Sequence, residues 1–214
     1  MTTIYTFREE SHDASLEAAL SVLRKSGIIA MPTETFYALG VYPQDEKALR
    51  RLRMIKGRPD VKPIPVLIPD LSHLSNLASE VSAAASLLID RFWPGPLTIV
   101  FSASPRLPEA LTGGTGTVGV RMPAHATVLR LLRHVGTLTG TSANVAGAQP
   151  ASRVELVQAS LGSKIDLILD GGPTLGDLPS TVVNAVGPIR VLRDGQISRE
   201  QLEAALHESG FTLA

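Results

Sequence analysis

The chain has no cysteine, which excludes a disulfide scaffold and thiolate chemistry and agrees with a reducing compartment. It has no excess charge of either sign: 20 lysines and arginines balance 20 aspartates and glutamates. No whole-molecule field therefore draws it to nucleic acid or to an anionic membrane, and any basic site must be local. No uninterrupted apolar run approaches membrane-spanning length, and the N-terminus lacks a basic segment followed by an apolar one. The expectation is a cytoplasmic protein without membrane contact. There is also no Gly-x-x-x-x-Gly-Lys-Ser/Thr loop, internal repeat or long polar linker.

What is present is an ordinary globular composition. The 214 residues are 44% hydrophobic and 19% charged, enough to bury a sizeable core, and a single domain over 1–214 is expected. Helical and strand signals alternate. A helix after Asp13 carries Leu16, Ala19, Leu20 and Leu23 on one face and stops at Gly27, before a buried strand Ile28 to Met31. A second helix from about Asp45 to Ile55 turns Ala48, Leu49, Leu52 and Ile55 inward and puts Lys56 and Arg58 at its C-terminal end or just beyond, where the helix dipole favours cations. Further strands are expected at 66–68, 97–101, 118–121, 167–169, 181–185 and 189–192, with helices at 81–90, 127–134 and 153–161. Ser198 and Gln201 form a capping box for a last helix to His207. The fold class is α/β, a twisted, mixed, open sheet flanked by helices with a concave ligand cleft.

Several motif matches fail on context. Gly114-Thr115-Gly116-Thr117-Val118-Gly119 satisfies the dinucleotide-binding pattern, yet a strand follows it where a helix is required. A turn-forming loop, able to line a cleft, explains it as well. Gly140-Thr141-Ser142-Ala143-Asn144 approaches a nucleophile elbow, but Asn144 stands where glycine is needed. His12, His73, His125, His134 and His207 have no metal-ligand spacing. Trp93-Pro94-Gly95-Pro96 reads either as an aromatic stacking shelf or as a rigid corner packing the only tryptophan.

The sharper signal lies between Gly27 and Pro63. A buried strand opens into Pro32-Thr33-Glu34-Thr35-Phe36-Tyr37-Ala38-Leu39-Gly40, and three cations, Lys56, Arg58 and Lys62, follow among Gly and Pro. Such an edge suits an anionic ligand beside a small polar one. Ser142 and Asn144 lie beyond another strand end, and Ser180-Thr181 precede Val182-Val183. In α/β sheets such edges collect ligands.

Seven ordered blocks run through nearly the whole chain: Pro32-Thr33-Glu34-Thr35 with Tyr37 and Gly40; Lys56-x-Arg58-Pro59; Pro94-Gly95-Pro96-Leu97-Thr98; Gly119-Val120-Arg121-x-Pro123; Ser142-Ala143-Asn144 with Gly147; Ser180-Thr181-Val182; and Leu192-Arg193-x-Gly195. In these the chain resembles the YrdC-domain family, which includes the threonylcarbamoyl-AMP synthases. The resemblance implies a nucleotidyltransferase that makes threonylcarbamoyl-AMP and pyrophosphate from L-threonine, bicarbonate and ATP, with Mg2+ carried on the triphosphate. A separate transferase would then pass the group to an adenosine of tRNA.

By the same resemblance Lys56 and Arg58 would be catalytic and, with Lys62, Thr117, Ser142, Asn144 and Arg193, would hold ATP. Thr33 or Thr35, Arg121, Thr141 and Ser180 would hold threonine, the arginine pairing its carboxylate. Phe36 and Ala38 depart from the family's valine and glycine, and Lys62 from a frequent asparagine. Leu67 occupies the position of a histidine that contacts threonine in longer members, which leaves the strictness for threonine open. The chain ends soon after the common domain, as a short-form member would. The rival readings are a relative without synthase activity, which would typically lose the Ser-Ala-Asn block present here, and an RNA-binding module, which the balanced charge disfavours.

Overall fold

The computed structural model describes residues 2–8, 13–57 and 62–214. Eleven strands are described: β1 (Thr3–Thr6), β2 (Ile29–Met31), β3 (Ala38–Gly40), β4 (Val66–Leu67), β5 (Leu97–Ser102), β6 (Thr117–Arg121), β7 (Leu138–Thr139), β8 (Thr141–Ser142), β9 (Leu167–Asp170), β10 (Thr181–Asn184) and β11 (Arg190–Arg193). The helices are α1 (Asp13–Arg24), α2 (Glu46–Lys56), α3 (Ala83–Phe92), α4 (Glu109–Thr112), α5 (Ala126–Val135), α6 (Val154–Leu161) and α7 (Arg199–His207), with a 3-10 turn at Leu71–Asn76.

The open, mixed, helix-flanked arrangement expected from the sequence is present, but the strands divide between two sheets. The first has the order β1-β9-β2-β3-β8, with β1, β9 and β2 parallel and β3 and β8 antiparallel. The second has the order β11-β10-β5-β6-β4-β7 and alternates antiparallel with parallel pairs.

Period-two alternation explains how each sheet is used. In the first, Ile29, Met31, Leu167 and Leu169 pack with Leu16, Ala19 and Leu23 of α1 and Val128, Leu131 and Leu132 of α5. Ala30, Leu39 and Ile168 belong to the other, larger core cluster. With both faces covered, these strands read as continuous apolar runs. In the second sheet Leu97, Ile99, Phe101, Val118, Val120, Val66 and Val183 join that larger cluster. The alternate positions face elsewhere, and they make the floor of the site.

The chain crosses from one sheet to the other at Gly140. Leu138–Thr139 pair with β4, whereas Thr141–Ser142 pair with β3. Thr139, fully buried, secures the crossing, because its hydroxyl accepts from Val41 N at 3.0 Å and donates to Leu39 O at 3.1 Å.

Local signals hold where they were specific. Asp45 caps α2 by accepting from Ala48 N at 3.0 Å, and Gly57 closes it in the left-handed conformation with φ 57°. The Ser198–Gln201 capping box is formed. Trp93 is the rigid corner, 8% exposed, with Nε1 donating to Leu97 O at 2.7 Å. Among the described residues no helix is long and apolar enough to cross a membrane.

Candidate active site

A cavity of about 380 Å³ lies where the two sheets diverge. Its floor is the other face of the second sheet, built from Thr98 and Val100 of β5, Thr117, Gly119 and Arg121 of β6, Leu67 of β4 and Val182 of β10. Its wall comes from the first sheet and the loops beside it: Thr33, Thr35, Phe36, Tyr37, Ala38, Thr141 and Ser142. Pro63, Pro65, Pro150 and Pro179 supply rigid edges. The volume and the mixed lining suit a small organic ligand.

Arg121 is the charged centre of this space, with only 7% of its side chain exposed. Nε donates to Gly95 O at 3.1 Å and Nη1 to Thr35 Oγ1 at 3.3 Å. Nη2 approaches Glu34 Oε1 at 2.5 Å without hydrogen-bond alignment. Glu34 Oε1 also accepts from Ala124 N at 3.0 Å. A buried guanidinium without a counter-charge would be costly, so Glu34 is what allows Arg121 to sit here before any ligand arrives. The charge of Glu34 was not assigned from sequence, although it stands inside the Thr33-Glu34-Thr35 block, because the strand pattern alone does not say which cation it meets.

Hydroxyls surround the guanidinium. Thr33 Oγ1 bonds Thr35 Oγ1 at 2.9 Å and donates to Phe36 O at 2.7 Å, which closes the turn between β2 and β3. Ser180 Oγ and Thr98 Oγ1 share a hydrogen bond of 2.9 Å. Arg193 grips Ser180, with Nη2 donating to its carbonyl at 2.8 Å and to its Oγ at 3.0 Å. Thr141 Oγ1 is buried and has no hydrogen-bond partner among the described residues, nor does Glu34 Oε2. A buried hydroxyl left unpaired costs free energy unless a ligand or water satisfies it.

The glycine-rich segment proves to be a turn that lines the cleft. Gly114 and Gly116 adopt φ 70° and 67°, and Thr115 and Thr117, bonded to each other at 2.8 Å, both reach the cavity. Tyr37 donates its hydroxyl to Gly172 O at 2.7 Å. Burial, reinforced by the nearby Asp170 carboxylate, raises the Tyr37 phenol above its ordinary range, so it is a fixed neutral donor.

Of the residues singled out from sequence, Thr33, Thr35, Thr117, Arg121, Thr141, Ser142, Ser180 and Arg193 meet around this one cavity. Lys56 and Asn144 do not line it. Lys56 was expected at the end of α2 or just beyond it, suited to the phosphates. It turns inward instead, is 2% exposed, and its Nζ donates to Ser142 O at 2.6 Å, Asn144 O at 2.6 Å and Asn144 Oδ1 at 2.8 Å. Asn144 Oδ1 in turn accepts from Ser142 Oγ at 2.6 Å. The ammonium thus holds the Ser142–Asn144 segment from behind, the carbonyls offering it what solvent would. Ile55, expected inward, is only partly buried. Lys62 is exposed and outside the lining. Arg58 lies outside the described residues.

Thr98 and Gly119 were missed as lining residues; Leu67, singled out by the resemblance, also lines the cavity. Alternation in Leu97-Thr98-Ile99-Val100 carried the signal for Thr98, since a hydroxyl opposite two core residues marks a second, polar face. The nucleophile-elbow geometry is absent, because no helix follows Ser142 directly: the next, α6, begins at Val154. Among the described residues no cluster of three or more histidines and carboxylates could hold a metal ion.

The Sua5/YciO/YrdC family model, described as telomere recombination, matches residues 21–195. A threonylcarbamoyl-AMP synthase of Pyrococcus abyssi is 37% identical over 210 residues, 97% of this chain and 62% of that protein. One of Chromobacterium violaceum is 38% identical over 178 residues, 83% of this chain and 91% of its own. The crystal structure of P. abyssi Sua5 complexed with L-threonine superposes with a TM-score of 0.93 at 36% identity, covering 100% of this chain and 63% of that one. The chain therefore spans about six tenths of the length of the Pyrococcus relative. With most of its length matched by the family model and by these relatives, the chain belongs to the Sua5/YciO/YrdC family.

Proposed function

We propose that this chain is an L-threonylcarbamoyladenylate synthase, a nucleotidyltransferase that joins L-threonine, bicarbonate and ATP into threonylcarbamoyl-AMP and releases pyrophosphate. The observation that carries this reading is the convergence of a counter-charged, buried Arg121 and the hydroxyls of Thr33, Thr35, Thr141 and Ser180 on one cavity. That combination fits an amino acid bearing a carboxylate and a hydroxyl. The names of the family relatives support the same activity. The cavity is lined by both sheets, which supports reading the chain as one working unit.

The threonine amine takes up bicarbonate as a carbamate, with loss of water. A carbamate oxygen attacks the α-phosphorus, and the bond from that phosphorus to the bridging oxygen breaks as pyrophosphate leaves with its electrons. Arg121 would pair the threonine carboxylate through N–H groups not committed to Gly95, Thr35 and Glu34. Thr141 Oγ1, unpaired among the described residues, would meet the substrate hydroxyl. Ser142, Thr117 and Arg193 would face the nucleotide. Lys56 would act as a positioning residue that fixes Ser142, and Arg58 would neutralise phosphate charge. Mg2+ would enter with the triphosphate as part of the substrate. No obligatory general base is needed, because the carbamate is already nucleophilic, and positioning with charge neutralisation supplies most of the rate. A separate tRNA-modifying transferase would consume the product.

The test is pyrophosphate release from ATP with each of the twenty amino acids, with and without bicarbonate. Release only with L-threonine and bicarbonate together is expected, and Arg58→Ala should lower it by about a hundredfold. Turnover indifferent to threonine refutes the assignment.

A further inference from the structure

Resting on the synthase reading, we propose that Thr98 is a positioning residue that fixes the direction of the Ser180 hydroxyl, so that Ser180 meets the substrate as a hydrogen-bond donor to an anionic oxygen. Thr98 of β5 and Arg193 of β11 both pair with Val182 of β10, so the three side chains stand in one row on the cavity face of the second sheet. Arg121 continues the row beyond Thr98, since Ile99 pairs with Val120 in the antiparallel β5–β6 ladder. The Thr98–Ser180 pair thus joins the side of the cavity read for the nucleotide to the side read for the amino acid.

Both hydroxyls are held in place. The methyl of Thr98 lies on the β6 side, 3.4 Å from where a Cβ on Gly119 would stand, which leaves its hydroxyl on the β10 side. Ser180 is fixed through its backbone: Thr181 N donates to Pro96 O at 2.9 Å, and a Cβ on Gly195 would lie 2.5 Å from the Ser180 carbonyl carbon, so that glycine packs directly against it. The direction then follows from counting protons. Arg193 Nη2 can only donate, and it donates to Ser180 Oγ at 3.0 Å. Thr98 Oγ1 shares the second hydrogen bond of that oxygen at 2.9 Å and has no other partner among the described residues. At 4% exposure, donation to Ser180 is the arrangement that leaves no Thr98 proton unpaired. Ser180 Oγ then accepts twice and offers a ligand only its proton, which suits a carboxylate or carbamate oxygen and opposes an ammonium.

The experiment is a double-variant cycle read in kcat/KM for L-threonine. Thr98→Val removes the hydroxyl and keeps the branched shape; it should lower kcat/KM about tenfold, and Ser180→Ala about ten- to hundredfold, the scale of a hydrogen bond to a charged group. In the Ser180→Ala background the change at Thr98 should cost less than about twofold, because no hydroxyl is left to orient. Thr98→Ala, measured beside Thr98→Val, should repeat its loss, and Thr98→Ser, which restores the hydroxyl, should recover most of it. Calorimetry with L-threonine, without ATP or bicarbonate, tells the two anions apart. A weaker affinity in Thr98→Val marks the threonine carboxylate as the acceptor; an unchanged affinity with a lower kcat marks the carbamate oxygen, which exists only after bicarbonate is taken up. Full additivity of the two substitutions, no recovery in Thr98→Ser, or turnover of folded Thr98→Val equal to or above that of a threonine-dependent wild type overturns this inference alone. Absence of threonine dependence in the wild type overturns the synthase reading and this inference with it.

Discussion

Replacing Lys56 by methionine separates two jobs that one lysine can do. The stem is kept, so the packing of α2 is nearly conserved, but the ammonium that serves Ser142 O, Asn144 O and Asn144 Oδ1 is removed. Asn144 Oδ1 keeps Ser142 Oγ as a donor. Ser142 O keeps Asn144 N as a donor at 2.9 Å, so Asn144 O is the acceptor left stranded, beside a residue 2% exposed. An acceptor stranded in this way costs ~1–3 kcal/mol, and part of that is offset because a buried ammonium no longer has to be desolvated. The expected net loss is ~2 kcal/mol, which in a chain of this size lowers Tm by about 4–8 °C. Urea unfolding followed by fluorescence of Trp93, the only tryptophan, measures it directly, since that ring is buried in the native protein. Turnover should fall as well, because the Ser142–Asn144 segment is no longer held. If Lys56→Met unfolds within ~1 kcal/mol of wild type while pyrophosphate release is lost, the ammonium acts on phosphate, and the positioning role argued from its four oxygen contacts fails.

Arg121→Lys keeps the charge but loses the planar fork that reaches Gly95, Thr35 and Glu34 together. It should raise the KM for threonine roughly ten- to hundredfold and leave the KM for ATP within about threefold, as steady-state kinetics would show. Tyr37 should contribute stability that is constant up to about pH 10 and is lost above it. The folded phenol, its pKa raised by burial and by Asp170, holds its proton while the unfolded chain ionises. Denaturation midpoints of wild type and Tyr37→Phe across that range should therefore show a steeper alkaline decline in the wild type. A constant difference above pH 10 would contradict the assignment.

Much of the fold was legible because periodicity reports which face of an element is buried. Ala48, Leu49 and Leu52 point inward on α2 as their spacing requires, Asp45 and Ser198 cap the helices they precede, and β5, β6, β9, β10 and β11 fall within a residue or two of their apolar runs. The short strands β3, β7 and β8 were not legible. Two or three residues carry no period, and they are strands only because distant partners supply the hydrogen bonds. The same limit hid β1, whose four residues are all exposed at an edge.

The site divides along the same line. The residue types needed for an anion and a small hydroxylated ligand, and their order along the chain, are written in the sequence, since chemistry depends on which groups are present. Their arrangement is not. That Lys56 turns into the protein, that Glu34 rather than a substrate neutralises Arg121 before binding, and that Leu67 fills the room left by Gly140 all follow from two sheets meeting at one crossing point. Contacts of this kind join positions far apart in the chain, such as 56 with 144 or 34 with 121. No local pattern encodes them, because their free energy exists only once the intervening segments have packed.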